Sequence, residues 1–148
     1  MPILASEIQQ WWAEKLKTLL SGFTNINVRV FTSFEQTVSS ISNTLIVVVV
    51  TSDINFNRIS IGTSTNYNCE IQVQFYVGYA GNAVTWSEIM SVIQSYVFAP
   101  ATIQQFEVDF ASKVMGARLN TLAVTENWNE DYRMRQAGIV INIQFITR

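Results

Sequence analysis

The chain has 148 residues, one cysteine, no histidine and a formal net charge of −2, with 49% hydrophobic and 14% charged residues. That length suits one domain with a core of its own, and the hydrophobic content excludes a disordered chain. Lacking imidazole, it has neither the commonest general base nor the commonest metal ligand, and its single cysteine (Cys69) excludes an internal disulfide and a Cys-rich zinc site.

The polar residues are mostly uncharged: 13 Ser, 13 Thr, 12 Asn and 10 Gln stand against 20 charged residues. Amides and hydroxyls are cheaper to desolvate than ions, so such a surface suits being covered by another protein. The longest aliphatic run, Leu45 to Val50, is far too short to cross a bilayer as a helix, and no basic, apolar leader precedes Glu7. The expectation is an intracellular protein outside the membrane.

In chain order, Ser6-Glu7-Ile8-Gln9 has capping-box spacing, and Ile8, Trp11, Trp12, Leu16, Leu19 and Leu20 recur at helical intervals up to Gly22. They predict an amphipathic helix over about 7–21 with Gly22 as a left-handed cap. Its polar face carries too few cations for a membrane anchor, so the paired tryptophans belong to a core or a subunit contact. Val28 to Phe31 predicts a short strand, Thr32 to Thr44 a polar loop, and Leu45 to Val50 a strand buried on both faces. Thr51 to Asn68 reads as a polar connection with a brief Ile59/Ile61 alternation.

Glu70 to Tyr79 alternates cleanly, with Ile71, Val73, Phe75, Val77 and Tyr79 inward and Glu70, Gln72, Gln74 and Tyr76 outward. Gly78-Tyr79-Ala80-Gly81 ends it. The tetrapeptide matches a minimal nucleic-acid clamp, but no Lys or Arg lies between Arg58 and Lys113, so it reads as a strand-to-helix connection. Thr85-Trp86-Ser87-Glu88 predicts the cap of a second helix carrying Trp86, Ile89, Ile93, Tyr96 and Val97, which Pro100 ends. Phe106, Val108 and Phe110 alternate with Gln105, Glu107 and Asp109 as another strand, and Leu119 to Trp128 and Tyr132 to Thr147 form a final pair about Asn129-Glu130-Asp131. In the last arm Ile139, Ile141, Ile143 and Phe145 share one face. The whole predicts a single α+β domain over 1–148: a mixed, mainly antiparallel sheet with two amphipathic helices packed on one face.

Few residues offer chemistry. Glu107 and Asp109 would share a solvent-facing strand face, where a carboxylate lacks the apolar pocket that a general acid requires. Glu126, Glu130 and Asp131 match no calcium loop, and no glycine-rich phosphate loop occurs. Arg133 and Arg135, alternating with Tyr132 and Met134, read either as cross-strand partners on an exposed face or as an intersubunit contact with a neighbour's carboxylate. An alternative places Trp86, Tyr96, Phe106 and Phe110 around an apolar ligand pocket of a small binding or adaptor domain.

The amphipathic start Ile8 to Leu20, the segment Cys69-Glu70-Ile71-Gln72-Val73-Gln74-Phe75-Tyr76-Val77-Gly78 before a helix, and Glu126-Asn127-Trp128-Asn129-Glu130-Asp131-Tyr132-Arg133-Met134-Arg135 leading into Ile139 to Phe145 carry a likeness. Over about two-thirds of its length the chain resembles the tail-terminator, or tail-completion, proteins of tailed bacteriophages. The resemblance implies a virion protein, commonly a homohexameric ring on the head-proximal end of the tail tube. Such a ring ends tube growth, contacts tube and sheath, and meets the neck or head-completion proteins. DNA would touch it only in passing through the lumen. The resemblance implies no catalytic residue, cofactor or metal. The candidate contacts are Gln72, Gln74 and Tyr76 on the outward strand face and Glu130, Arg133 and Arg135 in the final hairpin.

Overall fold

The computed structural model describes residues 3–33, 43–58, 66–130 and 134–147. The elements are α1 (Ala5–Leu20), β1 (Asn27–Phe31), β2 (Thr44–Thr51), β3 (Asn55–Arg58), β4 (Tyr67–Ala80), α2 (Ala83–Phe98), α3 (Pro100–Asp109), β5 (Val114–Asn129) and β6 (Met134–Thr147). The strands form one mixed sheet in the order β1-β2-β4-β6-β5, with β3 also paired to β4. Among the described residues only β1 and β2 run parallel; the other pairings are antiparallel. The α+β expectation therefore holds, with three helices among the described residues where two were expected. Ile59 and Ile61 lie outside the described residues, as does most of the Thr32–Thr44 segment.

The alternation of β4 and β6 decides where the core sits. Ile71, Val73, Phe75, Val77 and Tyr79 pair across with Ile143, Ile141, Ile139, Ala137 and Arg135, and all but Arg135 are buried beneath the helices. From α1 come Ile8, Trp12, Leu16 and Leu20, each with no exposed surface, and burial of an aliphatic side chain of this size contributes about 1.5–3 kcal/mol. Trp12 meets Phe75 edge-on at 5.3 Å and Trp11 at 4.9 Å. Within β2, Leu45, Val47 and Val49 join this core, whereas Ile46 and Val48 are buried on the opposite face beside Ala80 and Met134. The strand expected to be buried on both faces is so.

β2 and β3 follow one another along the same side of β4. Three residues, Ser52 to Ile54, stand opposite Ile71 and Gln72, which is a bulge. Ser52 closes it: its N–H donates to the Gln72 carbonyl at 2.9 Å, and its hydroxyl accepts the Gln72 N–H at 3.0 Å.

The helix boundaries differ from expectation for physical reasons. α1 starts at Ala5 because the Glu7 carboxylate reaches back to accept the Leu4 N–H at 2.8 Å, so Ser6 is not the cap. Its end is closed by the Ser21 N–H on the Lys17 carbonyl, and Gly22 is not left-handed. α2 is capped by Asn82, whose side chain accepts the Thr85 N–H at 2.8 Å, which places Thr85 inside the helix. The expected strand at Phe106 to Phe110 is α3 and its end: Pro100 stops α2 and also occupies the first turn of α3, where a missing N–H costs nothing. Helical spacing buries Thr102 and Phe106 together and leaves Val108 67% exposed, the reverse of an inward-facing strand position.

Candidate interaction surface

On the face of the sheet away from the helices, Gln72, Gln74 and Tyr76 stand in a row on β4, paired with Asn142, Val140 and Gly138 of β6. Gln72 is exposed, Gln74 half-buried and Tyr76 41% exposed, and the Tyr76 hydroxyl donates to the Gln74 Oε1. The outward placement expected from alternation is realised. Beside them lies a polar ladder that alternation alone did not single out. Arg118 of β5 donates through Nε and Nη2 to the Gln144 Oε1 at 3.1 and 2.8 Å, Gln144 donates to Glu70 at 3.5 Å, and Asn142 donates to the other Glu70 oxygen. The ladder crosses β5, β6 and β4 because Arg118, Gln144 and Glu70 occupy one register line. Cross-strand polar pairs of this sort contribute about 0.2–1 kcal/mol each.

The final hairpin is arranged differently from its sequence reading. Glu130 is exposed in the turn after β5, and Arg133 and Asp131 lie outside the described residues. Arg135 is half-buried, opposite Trp128 on one side and Tyr79 on the other, which puts it on the helix side of the sheet. Its guanidinium stacks over the Trp128 ring, 5.4 Å from the centroid. Arg135 is thus not a surface partner on the face of Gln72, Gln74 and Tyr76; that position belongs to Gln136, which is paired with Gly78. Trp128, 49% exposed, is the residue the sequence reading missed, and its signal was the bulky aromatic two positions after Glu126 in an otherwise polar strand end.

β5 forms one margin of the sheet and β1 the other; among the described residues neither has a strand on its outer side. The register of β5 on β6 shifts twice, between Val114 and Gly116 and between Leu119 and Thr121, leaving Met115 and Asn120 as extra residues. Beyond the second shift the pairing is regular from Thr121 to Asn129, and Ala123 through Trp128 are exposed on both faces of the strand. α3 lies over the beginning of β5. The helical layer reaches the outer part through Trp86, whose indole N–H donates to Glu126 at 3.1 Å.

Glu107 and Asp109, the pair considered for acid–base work, are engaged in holding the fold. Because Glu107 and Asp109 lie at the end of a helix, they diverge instead of sharing a strand face. Glu107 accepts the Ala117 N–H at 2.9 Å, and Asp109 accepts the Trp11 indole N–H at 2.8 Å and the Gln105 amide at 2.7 Å, with Lys15 at 3.4 Å. The Trp11 and Gln105 hydrogen bonds and the Lys15 charge hold the Asp109 carboxyl below the usual carboxylate range, the opposite of a general acid. Lys113, 2.6 Å away, and the Leu4 N–H do the same for Glu7. Burial pushes the Cys69 thiol up to about 11, which keeps it unreactive. Among the described residues no group of three His, Cys, Asp or Glu side chains could hold a metal ion, and no helix is long and apolar enough to cross a membrane.

The four aromatics of the pocket alternative do not surround one cavity. Trp86 and Phe106 are core, Phe110 packs against Phe106 and Trp11, and Tyr96 lines an open groove of about 530 Å³ with Leu19, Val92, Ala99 and Thr102 between α1, α2 and α3.

The two depressed carboxyls predict the acid limb of stability. Since their folded pKa values lie below the unfolded ones near 4, their contribution is complete above that range and is lost as pH falls through the folded values. The melting temperature is expected to change little from pH 7 to about 5 and to fall below about pH 4. Asp109→Asn should make that fall shallower; an unchanged acid limb would contradict the assignment.

No protein-family model matches the chain, and no curated protein matches it.

Proposed function

We propose that this chain is a structural virion subunit: it assembles with its own copies into a ring, commonly a hexamer, on the head-proximal end of a phage tail tube. There it ends tube growth and joins tube, and sheath where one exists, to the neck or head-completion proteins. The observation that carries the reading is the outer half of β5, which has no strand beside it among the described residues. Soluble proteins protect a sheet edge with Lys, Pro, bulges or a covering element. From Leu119 to Trp128 this edge has no Lys, Arg or Pro, and its bulges lie before the regular run. Such an edge favours completion by another strand, with main-chain hydrogen bonds supplying affinity. The helix-free face with Gln72, Gln74 and Tyr76 offers uncharged contacts, which suits a protein partner better than a phosphate backbone. The family likeness read from the sequence points the same way, and the engaged carboxylates favour no catalytic role. In this reading DNA passes through the ring without stable contact, and the protein resides in the tail or neck of the virion.

The test is the particle mass by sedimentation velocity across a concentration series, alone and with purified tail tubes. A mass several times 16.8 kDa, or co-sedimentation with tubes, is expected. A protein that stays monomeric at high concentration and ignores the tubes overturns the reading.

A further inference from the structure

Three rows of the helix-facing core cross the sheet to β5 and stop there. Val49, Phe75 and Ile139 are paired in line with no exposed surface, and the next residue on that line, Val124, is 36% exposed. On the neighbouring line Val47, Val77 and Ala137 are buried and Glu126 is exposed. On the third, Leu45 and Tyr79 are buried, Arg135 is half-buried and Trp128 is exposed. Val124, Glu126 and Trp128 therefore share the helix side of the β5 edge, an acid between two apolar residues, and among the described residues no strand lies beside them.

A strand added to this edge sets one side chain opposite each of the three, with Cβ atoms about 4.5–5.5 Å apart. Opposite Val124 and Trp128, apolar side chains extend the buried rows. Opposite Glu126 a cation is favoured and a carboxylate repelled, because Glu126 spends one oxygen on the Trp86 N–H and makes no ion pair among the described residues. On the other face Ala123, Thr125 and Asn127 are uncharged, so the intervening positions carry no charge requirement. The pattern, a cation with an apolar residue two positions to either side, reads the same for a parallel or an antiparallel strand. The free margin of a second copy does not supply it: in β1, Arg29 has Asn27 and Phe31 at that spacing and, paired with Ile46, faces the helix-free side. Of the nine Lys and Arg residues only Lys113 is flanked in this way, and it lies in the turn before β5, bonded to Glu7.

We propose that the outer half of β5, along Thr121–Asn129, is completed by an extended segment of a partner protein in which Lys or Arg stands between two apolar residues at a spacing of two. Main-chain hydrogen bonds supply the affinity, and Val124, Glu126 and Trp128 supply the selection. The inference rests on the reading that a strand completes this edge, and it assigns that strand to a protein the ring joins and not to another copy of this chain.

The experiment uses two fluorescein-labelled peptides, Thr-Thr-Ile-Thr-Lys-Thr-Ile-Thr-Thr and the same sequence with Glu in place of Lys, titrated by fluorescence anisotropy with protein kept below its assembly concentration. The Lys peptide is expected to bind at least about fivefold more tightly than the Glu peptide and to slow amide hydrogen exchange along Thr121–Asn129. Glu126→Gln keeps an acceptor for the Trp86 N–H while removing the charge, and should narrow the preference to within about twofold, with melting curves and circular dichroism confirming its fold. No binding of the Lys peptide up to about 1 mM, equal binding of the two peptides, protection confined to other segments, or a preference unchanged in a folded Glu126→Gln overturns the proposal. Assembly in sedimentation velocity without peptide binding overturns this contact and leaves the ring; selective peptide binding by a protein that never assembles overturns the ring and leaves this contact.

Discussion

Trp12→Ala is expected to destabilise the protein by about 3–5 kcal/mol, the range for removing a large aromatic from a core. At this chain length each kcal/mol shifts the melting temperature by about 2–4 °C, so the midpoint should fall by of order 10 °C. Trp12 has no exposed surface, and its ring touches Phe75 of β4, Trp11 of α1 and Tyr96 of α2, so it joins the sheet to two helices. A void there borders three elements that are already fixed by their own hydrogen bonds and cannot all collapse inward. Trp12→Phe should behave differently. The indole N–H is buried without a partner among the described residues, and an unsatisfied donor costs about 1–3 kcal/mol. Phe removes that penalty and part of the volume together, and the net loss should stay below about 1.5 kcal/mol. Urea unfolding of both variants checks the pair of values. A Trp12→Ala loss under 1 kcal/mol would contradict the role given to this residue.

Gly81→Ala is the second large effect. Gly81 follows the end of β4 and precedes the Asn82 cap of α2, and a Cβ there would run into the far end of the Tyr79 ring. That ring is 1% exposed, with its hydroxyl 3.5 Å from the Asn43 Oδ1, so it cannot swing away without opening the core. Overpacking of this kind costs about 1–3 kcal/mol. The cause can be isolated: in a Tyr79→Ala background the ring is gone, and adding Gly81→Ala should cost much less than it does in the wild type. Equal costs in the two backgrounds would show that the glycine is required for something other than room.

Much of the fold was legible because burial on one face imposes a period. The alternation of Glu70 to Tyr79 and of Ile139 to Phe145 placed the inward and outward residues of β4 and β6 correctly. The continuous Leu45–Val50 run marked the strand buried on both sides. The segment from Pro100 to Phe110 was misread because three apolar residues at a spacing of two satisfy a strand pattern, while a helix needs only Thr102, Phe106 and Phe110 at a spacing of four. The deciding contacts, Phe106 with Trp11 at 5.4 Å and with Phe145 at 6.3 Å, join residues far apart in the chain. The candidate surface was half legible: Gln72, Gln74 and Tyr76 lie on the helix-free face as alternation requires, but Arg135 lies on the other side. The reading of Arg135 as a surface residue treated any charge as solvent-seeking, whereas its guanidinium finds the Trp128 ring across the strand.

What the amino-acid order determined by itself was local: which residues alternate, where α1 and α2 run, and which functional groups are missing altogether, above all imidazole. Those properties depend on neighbours a few positions away or on composition. Only the tertiary structure decided that β1 and β5 are the margins of the sheet, that they run antiparallel to one another, and that one carries Arg29 and the other Glu126 and Glu130. Strand order depends on pairings between segments up to about a hundred residues apart, which no local pattern records.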